Sequence, residues 1–109
     1  MAVDSVGYSV VIHRRALDEL QAFDSDVGHD LRERVLDAAT ERQPKSHPCV
    51  EQIESYEPLL RVKGDGVRAI VALDPPTLLV LLVDTRRVVY DRLDVALARL
   101  ADASAGGDA

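Results

Sequence analysis

Residues 59–83, which read LLRVKGDGVRAIVALDPPTLLVLLV, decide the fold of this protein. The stretch contains two turn signals, Gly64-Asp65-Gly66 and Asp74-Pro75-Pro76-Thr77, and the first of them is typical of a tight hairpin. Aliphatic and β-branched residues, which favour strands, fill the three runs at 59–63, 67–73 and 78–83. The last run is apolar on both faces, as in a strand at the centre of a sheet. The stretch therefore predicts three consecutive antiparallel strands.

Upstream of these strands, the spacing of the apolar residues changes from that of a strand to that of a helix. Residues 8–13 alternate in polarity and include three successive β-branched residues, which predicts a strand. Apolar residues then follow helical spacing over 14–23 and again over 27–39, with Asp24-Ser25-Asp26 as a break between two helices. Residues 43–58 contain three prolines and little apolar material, which predicts a loop.

Downstream of the strands, the sequence predicts one more helix. The chain passes Arg86-Arg87 and a short extended piece at 88–90, and Asp91 is placed to cap the helix that follows. The predicted buried face of this helix consists of Leu93, Ala96, Leu97 and Leu100. Residues 102–109 are small, polar or glycine, and we expect them to form a disordered tail.

The order of these elements predicts an α+β fold in a single domain, residues 1–101. Two consecutive helices must pack on one face of a mainly antiparallel, four-stranded sheet, and a C-terminal helix follows. We expect the opposite face of the sheet to be open, with a floor formed by alternating residues of the three central strands.

The composition is acidic. The 109 residues include 19 acids and 13 bases, for a net charge of −6, and only Lys45 and Lys63 are lysines. A halophilic host and a codon bias towards arginine and aspartate both explain this composition. Overall acidity argues against broad binding of nucleic acids, because acids repel phosphate. Residues 59–92 differ, since they carry six bases and four acids.

Several classes of protein are disfavoured. The single cysteine, Cys49, excludes an internal disulfide and suits a reducing compartment. No signal-peptide pattern opens the chain, and its longest apolar run has six residues, whereas a membrane-spanning helix needs about 20. We therefore expect a cytoplasmic protein with no membrane association. Neither a phosphate-binding loop nor a metal-spaced set of histidines and cysteines is present, so we expect no metal and no cofactor.

Basic residues and one tyrosine recur at the ends of the predicted strands. They are Arg61, Lys63, Arg68, Arg86, Arg87 and Tyr90. Converging at one end of a sheet, such residues are suited to holding a phosphodiester, because guanidinium groups bind phosphate oxygens and stabilise transition-state charge. The alternative is that they are solvated strand ends that pair with Asp65, Asp74 and Asp84.

Three segments, in order, resemble the RelE/ParE toxin superfamily. Residues 60–71, LRVKGDGVRAIV, are similar to its "R-x-G-x-Y-R-hydrophobic" hairpin, and residues 81–90, LLVDTRRVVY, to its "G-H-R-R-x-x-Y" ending. Residues 8–20, YSVVIHRRALDEL, are similar to its opening strand and first helix. The similarity departs at Val67, where the family usually has tyrosine, and at Asp84-Thr85, where it usually has Gly-His.

The resemblance implies a RelE-type toxin of a type II toxin–antitoxin system, a metal-independent endoribonuclease that cleaves mRNA on the ribosome. It implies that Arg61 and Lys63 hold phosphate, that Arg68 stabilises transition-state charge and that Arg86 contacts the scissile phosphate. Tyr90 would stack on a base or move a proton, and Arg87 would bind RNA.

Two further functions remain open, a ParE-like toxin that binds gyrase without catalysis and a catalytically silent RelE-fold binding protein. The resemblance also implies a partner, a small antitoxin that wraps the toxin. The apolar face of the last helix suits either packing on its own sheet or displacement by a partner helix.

Overall fold

A computed structural model describes residues 7–106 of the chain. The strands are β1 (Ser9–Ile12), β2 (Val50–Gln52), β3 (Leu60–Lys63), β4 (Val67–Asp74) and β5 (Thr77–Thr85). The helices are α1 (Arg14–Gln21), α2 (Ser25–Ala39) and α3 (Leu93–Gly106), with short 3-10 turns at Pro44–Ser46 and Val89–Arg92. The sheet has the order β1-β5-β4-β3-β2. The predicted α+β architecture with a mainly antiparallel sheet is confirmed.

The number of strands differs from the prediction, because the sheet has five strands and not four. The additional strand, β2, lies in the predicted loop and pairs antiparallel with β3, Val50 opposite Val62 and Gln52 opposite Leu60. Three residues are too few to show a period of two, so its strand conformation depends on hydrogen bonding to β3. At the other edge of the sheet, β1 pairs in parallel with β5, and this is the one parallel pairing in the described sheet.

The face of the sheet that carries α1 and α2 holds one apolar cluster. Ala16 and Leu20 of α1 and Leu31 and Val35 of α2 are buried in it. Their partners on the sheet are Leu60, Val62, Val67, Ala69, Val71, Leu78, Val80 and Val83. These residues alternate along β3 and β4, as expected for one face of a sheet. The predicted packing of both N-terminal helices on one face is confirmed.

The opposite face is not open along its whole length, in contrast to the prediction. Leu93 and Ala96 of α3 and Val89 of the turn before it are buried against a second apolar cluster of the sheet, which comprises Ile53, Leu59, Ile70, Ala72, Leu81 and Leu82. A register shift between Ile70 and Val71 leaves Leu81 as an extra residue in β5. Leu81 and Leu82 therefore both belong to the cluster beneath α3. The apolar side chains of this face are therefore covered by α3 and do not form an open surface.

The start and end of α3 also differ from the prediction. Residues 89–92 form a 3-10 turn where an extended piece was expected, and Asp91 lies within this turn and not at the start of the helix. The helix continues to Gly106, through most of the segment expected to be disordered. Alanines at 101, 103 and 105 favour helix, and no proline stops it. The last three residues of the predicted tail lie outside the described residues.

The hairpin between β3 and β4 is tight and depends on one glycine. Lys63 lies opposite Arg68 in the register, and Gly66 has a φ of 74°, in the left-handed region. The N–H of Gly64 donates to the carbonyl of Val67 at 3.0 Å, which closes the turn. The hairpin fixes the register of the two strands that carry most of the candidate basic residues.

We expect Gly66→Ala to lower the free energy of unfolding by about 1 kcal/mol, because an L-residue is strained at positive φ. An added Cβ meets nothing within 4 Å, so the loss measures backbone strain alone. Gly66→Asn is the matched control and should lose less, because asparagine adopts this conformation more readily. Denaturant unfolding measures both, and an alanine variant as stable as the parent would contradict the assignment.

Within residues 7–106, no helix is both long and apolar enough to cross a membrane.

Candidate functional site

The register of the sheet places the predicted basic residues of β3 and β4 on one face. Lys63 lies opposite Arg68, and Arg68 lies opposite Asp84 of β5. Arg61 is two residues before Lys63 and lies opposite Ile70, which is buried beneath α3. These side chains therefore belong to the face that α3 covers, at the end of the sheet beyond the apolar cluster.

Arg61 and Tyr90 meet, although 29 residues separate them in the sequence. The Nη1 atom of Arg61 donates a hydrogen bond to the hydroxyl of Tyr90, and its Cζ atom lies 5.4 Å from the centre of the Tyr90 ring. Tyr90 reaches this position because the 3-10 turn after β5 brings the chain back over the sheet. Tyr90 remains 38% exposed, so solvent reaches it beside Arg61.

Glu51 lies between two of the cations, and the sequence did not indicate it. Its carboxylate accepts hydrogen bonds from Nε of Arg61, at 2.7 Å, and from Nη2 of the same side chain, and it lies 3.1 Å from Nζ of Lys63. The hydrogen bonds from Arg61 and then from Lys63 hold the pKa of Glu51 below its ordinary value of 4.5. The sequence indicates Glu51 only if β2 is recognised as a strand, and its three residues carry no clear strand signal.

Arg68 is held by the backbone and not by an acid. Its Nη1 donates to the carbonyls of Gly64, at 3.0 Å, and Val67, at 2.8 Å, and its Nε is buried with no partner among the described residues. Burial lowers the pKa of Arg68, and the charges of Arg86 and Arg61 lower it further. The guanidinium is thus fixed in place while its charge is not neutralised by a direct ion pair within residues 7–106.

Arg86 and Arg87 are exposed at the end of β5. The backbone N–H of Arg86 donates to the carbonyl of Gly66 at 3.0 Å, which ties the strand end to the hairpin. Thr85 lies opposite Val67 in the register, so Arg86 lies beside the start of β4, the strand that carries Arg68. In the described part of the chain, the side chain of Arg87 has no hydrogen bond or ion pair with the rest of the cluster. The structure brings together Arg61, Lys63, Arg68, Arg86 and Tyr90.

The predicted pairing of the cations with aspartates does not occur in the described residues. Asp84 forms an ion pair, but with Arg92, at 2.7 Å, and not with Arg68 opposite it in the sheet. Asp65 and Asp74 form no ion pair with the candidate residues within 7–106. The acid that neutralises part of the cluster is Glu51.

A second network of charged side chains includes Arg92, the last residue of the 3-10 turn that carries Tyr90. The carboxylate of Glu19 in α1 accepts hydrogen bonds from Arg92 and Arg99, each at 3.0 Å, and from the backbone N–H of Val83 at 3.0 Å. Arg99 is buried, and it also donates to the carbonyl of Leu81 at 2.9 Å. The network therefore joins α1, β5 and α3.

Two opposing influences set the pKa of Glu19. Burial, the largest of them, raises it, but the hydrogen bonds from Arg99, Val83 and Arg92 together lower it. The net pKa lies below the ordinary value of 4.5, so Glu19 is ionised at neutral pH.

The cations lie on an exposed surface. A cavity of about 610 Å³ occurs at the other end of the sheet, near Tyr8, Pro44 and Leu73, and none of the six candidate residues lines it. None of the groups of histidine, cysteine, aspartate and glutamate in the described chain is suited to holding a metal ion. Arg61, Lys63 and Arg68 are half-buried and Arg86 and Arg87 are exposed. A row of cations on an open surface suits an extended polyanion better than an enclosed small molecule.

Known structures share this fold at low sequence identity. A mutant of the Escherichia coli toxin RelE in the free state, with two arginines replaced by alanine, is 18% identical, with a TM-score of 0.65 over 85% of this chain and 97% of that chain. The RelB–RelE antitoxin–toxin complex from Methanococcus jannaschii is 11% identical, with a TM-score of 0.61 over 74% of this chain and 95% of that chain. No protein-family model and no curated protein sequence matches this chain. The predicted RelE-like fold is confirmed.

Proposed function

We propose that this protein is the toxin of a type II toxin–antitoxin system, a cytoplasmic, metal-independent endoribonuclease that cleaves mRNA on the ribosome. The observation that carries the proposal is the convergence of four cations and Tyr90 at one end of the sheet. A fold shared with the toxin RelE supports it.

Metal-independent cleavage of RNA needs a positively charged frame for one phosphate. The 2′-hydroxyl loses its proton to a base as its oxygen bonds to the adjacent phosphorus, the bond from phosphorus to the 5′-oxygen breaks, and the leaving oxygen takes a proton from an acid. Charge builds on the phosphate oxygens during this step, and donors already in position stabilise it most. Arg68 meets this requirement, because two backbone carbonyls hold its guanidinium. Arg86 and Lys63 extend the positive surface on either side, and Arg87 is exposed beyond Arg86 for further contact with RNA.

Tyr90 is placed to bind a base or to donate a proton. The residue is 38% exposed, and its hydroxyl already contacts Arg61. These contacts support the roles that we assign to Arg61 and Tyr90.

A second candidate function, a binding protein without catalysis, is favoured by Glu51. Its carboxylate neutralises Arg61 and Lys63. Asp84, at the position where the family usually has glycine, forms an ion pair with Arg92. No histidine lies among the candidate residues to serve as a base near neutral pH. A gyrase-directed toxin or a catalytically silent relative would need the same surface but no side chains positioned for catalysis.

We also propose an antitoxin partner, a small protein that covers the cations and reaches α3. One known structure with this fold is a complex of RelE with RelB. A partner with an acidic segment would complement Arg68 and Arg86. Co-expression with the neighbouring small reading frame and purification through a tag on this chain tests the partner, and a chain that elutes alone would contradict it.

Induced expression tests the nuclease against the binding protein. We expect growth arrest, with primer extension showing breaks in a reporter mRNA only when that mRNA is translated. Arg86→Ala should weaken the breaks, whereas Arg32→Ala, which removes an exposed arginine from α2 in the other layer, should not. Intact mRNA together with full toxicity of Arg86→Ala would exclude the nuclease and favour the binding protein. Assays with purified protein should be run at both ordinary and molar salt, because the acidic composition fits a halophilic host. At 1 M salt the Debye length falls to about 3 Å, which screens the repulsion between acids and phosphate.

A further inference from the structure

The candidate site already holds an anion that comes from the protein itself. One oxygen of the Glu51 carboxylate accepts from both Nε and Nη2 of Arg61, and the other lies 3.1 Å from Nζ of Lys63. Guanidinium and ammonium donors bind phosphate oxygens in the same way. The Glu51 carboxylate therefore uses the donors that a bound phosphate would use.

The Glu51 carboxylate is held loosely enough to be displaced. The side chains of Glu51, Arg61 and Lys63 are 37%, 30% and 39% exposed, and ion pairs with this exposure are weak. Glu51 also belongs to β2, the short edge strand of the sheet. A competing anion thus has access from solvent.

Within residues 7–106, Glu51 forms ion pairs with only half of the cluster. Within the described residues, Arg68 donates to two backbone carbonyls and has no acid partner, and the exposed Arg86 follows β5 next to the start of β4. The site consists of a neutralised half, Arg61 and Lys63, and a free half, Arg68 and Arg86. Lys63 lies opposite Arg68, so the two halves adjoin.

Resting on the proposed function, we infer that Glu51 is an internal competitor that makes the site selective for a strand of linked phosphates over a single phosphate. A lone phosphate must compete with a tethered carboxylate, whose effective concentration is of the order of millimolar. A polynucleotide first binds the free half and then presents its next phosphate to Arg61 and Lys63 at a similar effective concentration. Only a linked polyanion therefore displaces Glu51 efficiently.

Fluorescence anisotropy with a short, labelled, single-stranded 2′-O-methyl oligoribonucleotide tests this inference, because the 2′-O-methyl groups prevent cleavage. We expect Glu51→Gln to bind about three- to tenfold more tightly than the parent, the gain expected when weak ion pairs no longer compete. Glu54→Gln, at an exposed position three residues on, removes the same charge and should change the affinity little. Inorganic phosphate should compete poorly with the parent and better with Glu51→Gln.

The salt dependence gives a second readout. In the parent protein, the oligonucleotide replaces a carboxylate on Arg61 and Lys63, so these side chains release few counterions. In Glu51→Gln they are free beforehand, and the slope of log K against log salt should steepen by about 1.4, or 0.7 for each of two cations on a single strand. Glu51→Asp, which keeps the charge but shortens the side chain, should lie between the two if Glu51→Gln folds poorly.

The outcomes separate this inference from the proposed function. Equal affinity of the parent and Glu51→Gln, an equal gain in Glu54→Gln, or no binding by either protein would overturn the role of Glu51. Tighter binding by Glu51→Gln, without growth arrest or mRNA breaks from the parent, would overturn the nuclease and leave the role of Glu51 in place.

Discussion

Replacing Arg68 with alanine should lower the rate of RNA cleavage by about 10²- to 10³-fold, the loss typical of removing one positioned transition-state donor. Arg68 should matter most among the cations, because the carbonyls of Gly64 and Val67 fix its guanidinium and no acid neutralises it in the described residues. Arg61, in contrast, has Glu51 as a partner before any substrate binds. Single-turnover cleavage of a translated reporter mRNA measures the rate.

Arg68→Lys separates charge from position. Lysine keeps the positive charge but lacks the guanidinium fork, which binds phosphate oxygens through two nitrogens, so we expect a loss smaller than that of alanine and still larger than tenfold. Arg32→Ala, on α2, is the matched control and should retain the parent rate. Circular dichroism and thermal unfolding must show that Arg68→Ala is folded. A folded Arg68→Ala protein with the parent rate would remove Arg68 from the proposed mechanism.

The second large effect concerns stability. We expect Glu19→Gln to lower the free energy of unfolding by about 2–4 kcal/mol, because it leaves the buried Arg99 without its carboxylate and removes one of the two acids that pair with Arg92. The side chains of Glu19 and Arg99 are only 20% and 10% exposed. Glu33→Gln, at an exposed position on α2, removes the same charge and should change stability little. Denaturant unfolding at neutral pH measures both variants.

The pH dependence of this effect has a definite sign. Because the pKa of Glu19 is lowered on folding, its contribution is fully present above the unfolded value of about 4.5 and is lost as the pH falls through the folded pKa. The difference in stability between the parent and Glu19→Gln should therefore shrink below pH 4.5. A difference that stays constant between pH 7 and pH 3 would show that Glu19 acts through packing and not through its charge.

The sequence by itself determined the three central strands and the common face of their cations. Turn residues at Gly64–Gly66 and at Pro75-Pro76 act locally, and the alternation of Arg61 and Lys63 follows from the period of a strand. A tight hairpin then requires Arg68 to lie beside Lys63, as the register shows. Such features are predictable because each depends on residues within one turn or one strand.

Only the tertiary structure decided what surrounds these cations. Glu51 reaches Arg61 because β2 pairs with β3, and a strand of three residues has too little pattern of its own to be recognised. Glu19 and Arg99 are 80 residues apart and meet only when α1 and α3 both contact β5. The packing of α3 on the face opposite α1 and α2 likewise depends on the apolar area that Leu93 and Ala96 bury against Leu81 and Leu82. Ion pairs and buried surfaces between distant segments leave no periodic signal in the sequence, because the segments come into contact only when the chain is folded.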